Sequence, residues 1–298
     1  MKDSPSDATK GVVFGLTAYL LWGSFPLYFA LFDGVPAWEV LIHRVVWSCV
    51  FLALVITLLR RWQPVRMALS KPKELGFVLA CAVLIAINWL VYIYAVGSRQ
   101  VLQASLGYFL TPLVNVALGM IILRESISRL QAVAVLLATL AIFYQLVLLG
   151  IFPWITLVLA FSFGTYGLMR KKVMLDGLSG LFVETLLLLP LGLLALSWLT
   201  TTGNSPFGQD GLITLLMLSA GIATALPLLA FAGAARRLRL STVGFLMYIN
   251  PTVQFLIALL VFNEPLSPQL LASFVVIWVA LGLYSWSAWA GRTRPAAG

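Results

Sequence analysis

The sequence predicts an all-α integral membrane protein whose ten transmembrane helices form two inverted repeats of five helices each. Three observations support this fold class: the composition, the length of the apolar segments and the placement of the basic residues. Hydrophobic residues make up 61% of the 298 residues, charged residues make up 10%, and the mean hydropathy is +1.02. A water-soluble protein of this length could not bury so much apolar surface, because a large share of its residues must face water.

Ten apolar segments each approach the length of about 20 residues that a helix needs to cross the hydrocarbon core of a bilayer. We number them as spans one to ten, and they cover residues 11–32, 37–59, 75–97, 102–123, 130–149, 152–169, 179–200, 211–234, 241–262 and 268–290. Loop segments containing proline, with glycine or polar residues, separate several of them, as at residues 33–36 and 70–73. The segments are continuously apolar and show no alternation, which indicates helices and not the strands of a barrel.

The first span follows a polar segment, residues 1–9, and is too long for the core of a signal peptide, so we interpret it as a retained membrane helix. Cys49 and Cys81 lie within spans two and three in neither a metal-binding nor a redox spacing, and we interpret them as core residues. P-loop, dinucleotide-binding and HExxH motifs are absent from the sequence, which disfavours direct use of ATP. We therefore predict no cofactor and no metal.

The basic residues predict the orientation in the membrane. If the N-terminus is cytoplasmic, all nineteen Lys and Arg fall on the cytoplasmic side except Arg99, which lies outside, and Arg44, which lies within span two. This asymmetry is the one that cytoplasmic loops show, and it supports ten spans with both termini in the cytoplasm. The net charge of +9 is therefore explained by orientation and by contact with anionic membrane lipid, and we predict no nucleic-acid partner.

The two halves, residues 1–150 and 151–298, are predicted to be repeats with opposite orientation, because each contains an odd number of spans. Loop charges exchange sides accordingly: the loop after span one has no basic residue, and the loop after span six has three. Residues 111–115 (TPLVN) correspond to residues 250–254 (NPTVQ), and each is followed at the same spacing by glutamate, Glu125 or Glu264. We expect the two glutamates to serve in capping or loop packing. Inverted repeats are typical of secondary transporters, whose binding sites lie near the midplane between the halves.

Three segments resemble the drug/metabolite transporter superfamily with its EamA-type repeats, and within it most closely the RarD family of bacterial proteins. They are residues 18–28 (AYLLWGSFPLY), 43–48 (HRVVWS) and 101–109 (VLQASLGYF), and the resemblance extends over essentially the whole chain. The resemblance implies a carrier of the bacterial inner membrane. It also implies that transport proceeds by alternating access, often as export of amino acids or other metabolites.

Three ionisable residues lie within the spans: His43 and Arg44 in span two, and Glu184 in span seven. Such residues are costly in hydrocarbon unless they are paired or hydrated, so each is a candidate functional residue. Arg44 is predicted either to bind a substrate carboxylate or amine, or to extend to the membrane interface. Glu184 and His43 are predicted to couple transport to protons, since both side chains can titrate near neutral pH. The alternative for His43 is hydrogen-bonded packing, and a direct pair between Arg44 and Glu184 is left open.

A set of polar and aromatic residues lies about nine or more residues into the spans, near the middle of the bilayer. Together with Arg44 these residues form the predicted substrate-binding set: Trp22, Asn88, Trp89, Tyr92, Tyr108, Asn115, Tyr248 and Gln254. Amides at that depth need partners, and aromatic rings can line a cavity or stack on a cationic solute, although ordinary packing is the alternative for any one ring. Prolines that interrupt spans are predicted hinges: Pro26, Pro112, Pro227 and Pro251.

From these residues we predict a secondary active transporter of small metabolites or drug-like solutes, an exporter coupled to protons. Its expected partners are membrane lipid, the solute and protons, and we favour a monomer. A passive facilitator or channel is the alternative. A membrane-embedded enzyme is less favoured, because the three ionisable residues within the spans form no catalytic cluster.

Overall fold

A computed structural model describes residues 5–122, 124, 128–148, 152–170, 173–203, 205–238 and 240–290. This part of the chain is helical and contains no strand. The helices are α1 (Pro5–Gly23), α2 (Phe25–Phe29), a 3-10 turn (Ala30–Phe32), α3 (Ala37–Leu58), α4 (Trp62–Leu69), α5 (Pro72–Gly97), α6 (Val101–Ile122), α7 (Arg129–Leu148), α8 (Trp154–Arg170), α9 (Gly177–Thr202), α10 (Gly211–Ala235), α11 (Leu240–Leu246), α12 (Ile249–Leu260) and α13 (Pro268–Ala290).

The chain is a multi-pass membrane protein, because eight helical segments of the described part are long and apolar enough to cross a bilayer. These segments are Asp7–Phe32, Ala37–Leu58, Pro72–Gly97, Val101–Ile122, Gly177–Thr202, Gly211–Ala235, Thr242–Leu260 and Pro268–Ser287. A shorter apolar helix covers Arg129–Gln145, and α8 has 17 residues. Large apolar side chains face outward, including Leu191, which is 68% exposed, and Leu260, which is 74% exposed. Each predicted span coincides with a helix or a pair of helices, while ten crossings stay a prediction.

Two spans are broken, and proline lies close to both breaks. In span one, α1 ends at Gly23 and α2 begins at Phe25, with Pro26 in its first turn. In span nine, α11 ends at Leu246 and α12 begins at Ile249, close to Pro251. Pro112 and Pro227, in contrast, lie inside the continuous helices α6 and α10, as the unpredicted Pro190 does in α9. The matched prolines 112 and 251 therefore occupy different local structures.

The helices pack in pairs that bring the two halves of the chain together. Helix α3 packs against α9 and α10, and α1 packs against α10 and α12. Helix α8 packs against α5 and α6, α12 against α6, and α13 against α7. Residues far apart in sequence thus meet along α3, α5, α6 and α10, where the candidate site lies.

Two loop features complete the fold. The short helix α4 was not predicted; it buries Val65 and Ala68 and leaves Arg66 exposed.

Glu264 accepts hydrogen bonds from the backbone amides of Val101 at 2.7 Å and Leu102 at 2.8 Å, which are otherwise unpaired at the N-terminus of α6. This confirms the capping role expected of Glu264, whereas Glu125 lies outside the described residues.

Candidate functional site

Arg44 lies at the centre of the candidate site. Its side chain projects from α3 and is only 4% exposed. The guanidinium carbon is 3.9 Å from the centroid of the Trp89 ring, 5.3 Å from that of Phe29 and 5.5 Å from that of Phe25. Nε donates a hydrogen bond to Thr224 Oγ1 at 3.0 Å. We call these five residues the arginine cluster; they come from α2, α3, α5 and α10.

Local structure explains why the two phenylalanines reach Arg44. Helix α1 ends at Gly23 and helix α2 begins at Phe25. Phe25 and Phe29 lie four residues apart in α2 and therefore on one face of it. A Cβ on Gly23 would lie 2.7 Å from Val253 Cβ, so only glycine allows α1 and α12 to approach this closely. The break and the close approach together place α2 beside α3 and α5.

No carboxylate among the described residues forms an ion pair with Arg44. Glu184, whose pairing with Arg44 the sequence left open, is bound to Arg170 instead. The guanidinium is therefore stabilised by aromatic faces and one hydroxyl, with its charge uncompensated. The Arg44 side chain is enclosed by the arginine cluster, which favours a buried role over the alternative of extension to the membrane interface.

A hydrogen-bonded chain of polar residues lies next to the arginine cluster. Tyr108 donates to Asn88 Oδ1 at 3.0 Å, and Asn88 Nδ2 donates to Ser162 Oγ at 3.0 Å and to the Leu159 carbonyl at 3.2 Å. The Tyr92 ring lies 5.8 Å from the Tyr108 ring and 5.9 Å from the Phe29 ring. Unlike Tyr108, Tyr92 has a buried hydroxyl with no hydrogen-bond partner in the described part of the chain.

A cavity of about 30 Å³ adjoins Tyr108 at the break between α11 and α12. It is lined by Tyr108, Thr111, Phe163, Met247, Tyr248, Asn250 and Pro251. Gln254 lies one turn along α12 and donates to Asn250 Oδ1 at 2.8 Å. The cavity has room for only about two or three water molecules, so an organic solute can enter only if the surrounding helices separate.

Trp22 and Asn115, also predicted for the binding set, have other neighbours. The Trp22 ring packs against Tyr19 at 5.6 Å and Phe231 at 5.9 Å. Asn115 is exposed and lies beside Gly164 of α8. The structure thus gathers Arg44, Asn88, Trp89, Tyr92 and Tyr108 around one centre, and places Trp22 and Asn115 in separate contacts.

Glu184 lies in a second polar cluster, near the start of α9. It is 1% exposed, it accepts from the Tyr166 hydroxyl at 3.2 Å, and its Oε1 is 3.5 Å from Nε of Arg170. Arg170 Nη2 also donates to the Asp176 carbonyl at 3.0 Å. A Cβ on Gly180 would overlap the Arg170 guanidinium, so the lack of a side chain there allows the guanidinium to lie this close to α9.

Asp176 extends this cluster to the end of α3. Its Oδ1 accepts from the amides of Leu178 and Ser179 at the N-terminus of α9, and its Oδ2 is 3.2 Å from Nη2 of Arg61. Partial burial opposes ionisation of Asp176, but the hydrogen bonds from Ser179 and the nearby Arg61 lower the pKa of its carboxyl below the ordinary value. Asp176 is therefore charged and, through Arg61, joins the segment between α3 and α4 to α9.

His43 lies near the start of α3, as Glu184 lies near the start of α9. Its Nδ1 accepts from Trp47 Nε1 at 3.2 Å, its ring centroid is 4.5 Å from that of Phe207, and its Nε2 is buried without a partner. Glu39, one turn earlier and 1% exposed, accepts a hydrogen bond from Ser205 Oγ. The loop before α10 thus covers both ionisable side chains.

The partners of these residues could not be identified from the sequence. Arg170 was assigned to a cytoplasmic loop, yet its position four residues after Tyr166 places both on the face of α8 that meets Glu184. Thr224 carried no recognisable signal, because its contact with Arg44 spans 180 positions of sequence. In the described ranges no group of three or more His, Cys, Asp or Glu side chains could hold a metal ion.

Comparison with known proteins identifies relatives that match nearly the whole chain. The EamA-like transporter family matches residues 9–147. An uncharacterised transporter of Vibrio cholerae is 44% identical over 96% of this chain and 95% of that protein. Protein RarD of Salmonella typhi is 45% identical over 92% of this chain and 94% of that protein. The uncharacterised transporter YojE of Bacillus subtilis is 42% identical over 95% of this chain and 90% of that protein.

A solved crystal structure shares the fold at low sequence similarity. It is 18% identical to this chain, with a TM-score of 0.56, and the match covers 94% of this chain and 97% of that one. The helical arrangement described above is therefore shared over nearly the full length of both chains.

Proposed function

Because this chain belongs to the EamA-like transporter family, with RarD-like relatives, we propose that it is a secondary active transporter that exports small metabolites or drug-like solutes by alternating access. The proposed location is the bacterial inner membrane, with ten crossings and both termini in the cytoplasm. A monomer suffices, because the candidate site is built within one chain. The relatives carry the names of transporters, which favours transport over enzymatic activity.

Helix packing supports the inverted repeat that this mechanism needs. If α1 corresponds to α8, α3 to α9, α5 to α10, α6 to α11 and α12, and α7 to α13, each major helix pair has a counterpart. The pair of α1 with α12 corresponds to that of α8 with α6, and the pair of α1 with α10 to that of α8 with α5. The pairs α3 with α9, α6 with α12 and α7 with α13 correspond to themselves.

Individual residues follow the same correspondence. Gly23 of α1 contacts Val253 of α12, and Gly164 of α8 contacts Val114 of α6, which is the residue that matches Val253. Arg124 and Asn263, which also match, are both left-handed, with φ of 55° and 51°. Repeats of this kind allow one half to rock against the other around a central site.

The single observation that carries the proposal is the buried and uncompensated guanidinium of Arg44 at the junction of the two halves. A protein gains no stability from a buried charge without a counter-charge, so such a group in a membrane protein indicates a role in binding. Its neighbours come from both halves, since Trp89 lies on α5 and Thr224 on α10. We propose that the solute binds here, with the predicted polar and aromatic set around it.

Loops from each half close opposite ends of the pair formed by α3 and α9. Trp62 packs against Phe182 at a centroid distance of 5.5 Å, next to the contact of Arg61 with Asp176. Phe207 packs against His43 at the start of α3. In the proposed cycle these two closures open in turn, and Pro26, Pro112, Pro227 and Pro251 are the proposed hinges.

Protons are the proposed coupling ions, with Glu184 and His43 as the groups that exchange them. Glu184 is buried beside Arg170 and Tyr166, so gain or loss of its proton changes the strength of the contact that joins α8 to α9. His43 has one buried ring nitrogen without a partner, which can exchange a proton when the Phe207 loop moves. Each group lies next to one of the two closures.

The test is uptake into proteoliposomes with an imposed proton gradient, over a panel of amino acids, nucleosides and chloramphenicol. We expect the gradient to drive accumulation of one solute class by the unmodified protein. Glu184→Gln should exchange that solute without accumulating it, and Glu74→Gln, a change at a surface ion pair, should behave as the unmodified protein. If Glu184→Gln still accumulates the solute in response to the gradient, Glu184 does not couple transport to protons. If uptake by the unmodified protein does not depend on the gradient, the protein is a passive facilitator.

A further inference from the structure

We propose, on the basis of the function proposed above, that the solute is an organic monoanion: a compound with one carboxylate-type group and an apolar, planar body. The sequence left open whether Arg44 binds a carboxylate or an amine. The surroundings of Arg44 distinguish the two.

The charge balance of the site favours an anion. Arg44 contributes a full positive charge at 4% exposure, and the buried carboxylates of α3 and α9 are held in other contacts. Glu184 pairs with Arg170, and Glu39 accepts from Ser205. An anion would therefore supply the missing counter-charge, whereas a cation would meet uncompensated repulsion in a medium that screens charge weakly.

The aromatic side chains of the site are already oriented toward a cation of the protein. The Trp89 face is occupied by the Arg44 guanidinium at 3.9 Å, and Phe25 and Phe29 lie within 5.5 Å of the same group. Faces used in this way are not available to stack on a cationic solute. A planar apolar body that carries the anionic group can instead pack beside these buried rings once the helices separate.

Tyr92 provides a second and independent observation. Its hydroxyl is buried without a partner, and its ring is 3% exposed. Phe29 contacts both Arg44, at 5.3 Å, and the Tyr92 ring, at 5.9 Å, so Arg44 and Tyr92 are neighbours that share one aromatic ring. A phenol that lacks an acceptor is a donor available to an anionic oxygen.

The number of charges limits the anion to one negative charge. The arginine cluster contains one guanidinium, and the neighbouring polar groups of Tyr108, Asn88 and Ser162 are neutral and bonded to one another. A dianion such as a phosphate monoester would leave one negative charge uncompensated among aromatic side chains, at high desolvation cost. A carboxylate or sulfonate leaves none.

The experiment compares four benzene derivatives that differ in charge: benzenesulfonate, phenyl phosphate, benzylamine and benzyl alcohol. Each is added to the purified protein in detergent at mildly alkaline pH, and its affinity is measured from the shift in thermal unfolding. Each is then tested for exchange in proteoliposomes. We expect benzenesulfonate to bind and exchange, and the dianion, the cation and the neutral alcohol to bind at least tenfold more weakly.

Three variants separate binding from folding. Arg44→Gln should abolish the response to benzenesulfonate, and Arg66→Gln, a loss of charge on the exposed face of α4, should leave it unchanged. Tyr92→Phe should weaken the anion about tenfold, because it removes a hydrogen bond to a charged group. The same substitution should leave the unliganded protein equally stable or more stable, since the hydroxyl has no partner there.

The outcomes distinguish this inference from the proposed function. Exchange of benzylamine, benzyl alcohol or any neutral or cationic solute without exchange of an anion would overturn the monoanion and leave the transporter intact. Equal anion affinity in Tyr92→Phe, or a response that survives Arg44→Gln, would also overturn it. A folded protein that exchanges no compound of either panel would overturn the proposed function itself.

Discussion

Replacing Arg170 with glutamine removes the only cation that forms an ion pair with Glu184 among the described residues. Glu184 is 1% exposed, so the carboxylate would keep only the hydrogen bond from Tyr166, at 3.2 Å. Loss of one partner of a buried ion pair costs about 3–5 kcal/mol of unfolding free energy. Glu184→Gln should cost less, because Arg170 is 15% exposed and keeps its bond to the Asp176 carbonyl.

The double variant tests whether the two side chains act as a pair. Arg170→Gln combined with Glu184→Gln leaves no charge at this contact, so it should be more stable than the sum of the single changes predicts, by about 1–3 kcal/mol. The assay is reversible unfolding in mixed detergent micelles. The control is Lys71→Gln at the surface pair with Glu74, which should cost less than about 1 kcal/mol. If the single changes are additive, or if Arg170→Gln costs as little as Lys71→Gln, Arg170 and Glu184 do not form a stabilising buried pair.

Three further outcomes are expected. Gly23→Val should lower the unfolding temperature strongly, because a Cβ there would lie 2.7 Å from Val253 Cβ. Gly76→Val is the control and should have little effect, because a Cβ there would have no neighbour within 4 Å; equal effects would argue against tight packing of α1 on α12. Glu264→Gln should cost about 1–2 kcal/mol, since a neutral amide caps the N-terminus of α6 less well, and an unchanged unfolding free energy would contradict the cap. Because the pKa of Asp176 is lower in the folded protein than in the unfolded chain, its carboxylate stabilises the fold above the unfolded pKa, and this stabilisation is lost as the pH falls through the folded pKa. Asp176→Asn should therefore make the unfolding free energy less dependent on acid pH, and an identical pH profile would contradict this role.

The positions of the helices could be predicted from sequence because the bilayer fixes their length. The predicted span 37–59 corresponds to Ala37–Leu58, and the predicted span 211–234 to Gly211–Ala235. Helix α4 was missed, since its eight residues lie in a basic segment and are too short for the apolar pattern that marks a span. In span nine a hinge was predicted at Pro251, but the helix is interrupted a few residues earlier, at residues 247–248, where neither glycine nor proline marks the interruption.

The candidate site could be predicted in part. Arg44 and Glu184 were identified because ionisable residues are rare in apolar spans, and Tyr92 and Tyr108 because of their depth. Their partners could not be identified, since these contacts depend on how the two halves pack: Arg44 meets Thr224 and Glu184 meets Arg170. Arg170 was assigned to a cytoplasmic loop because it lies at the end of an apolar span. A long side chain at a helix end can nevertheless extend along its own helix and reach a buried carboxylate.

Solute counterflow in proteoliposomes tests the central claim, that this chain is a carrier, most directly. Vesicles are loaded with one unlabelled compound of the panel of amino acids, nucleosides and chloramphenicol, and the same compound is added outside at trace level with a label. We expect the labelled compound to rise transiently above its equilibrium level for one solute class, and we expect Arg44→Gln to abolish the overshoot. Simple equilibration without an overshoot, by protein that is folded and correctly inserted, would contradict alternating access and indicate a channel.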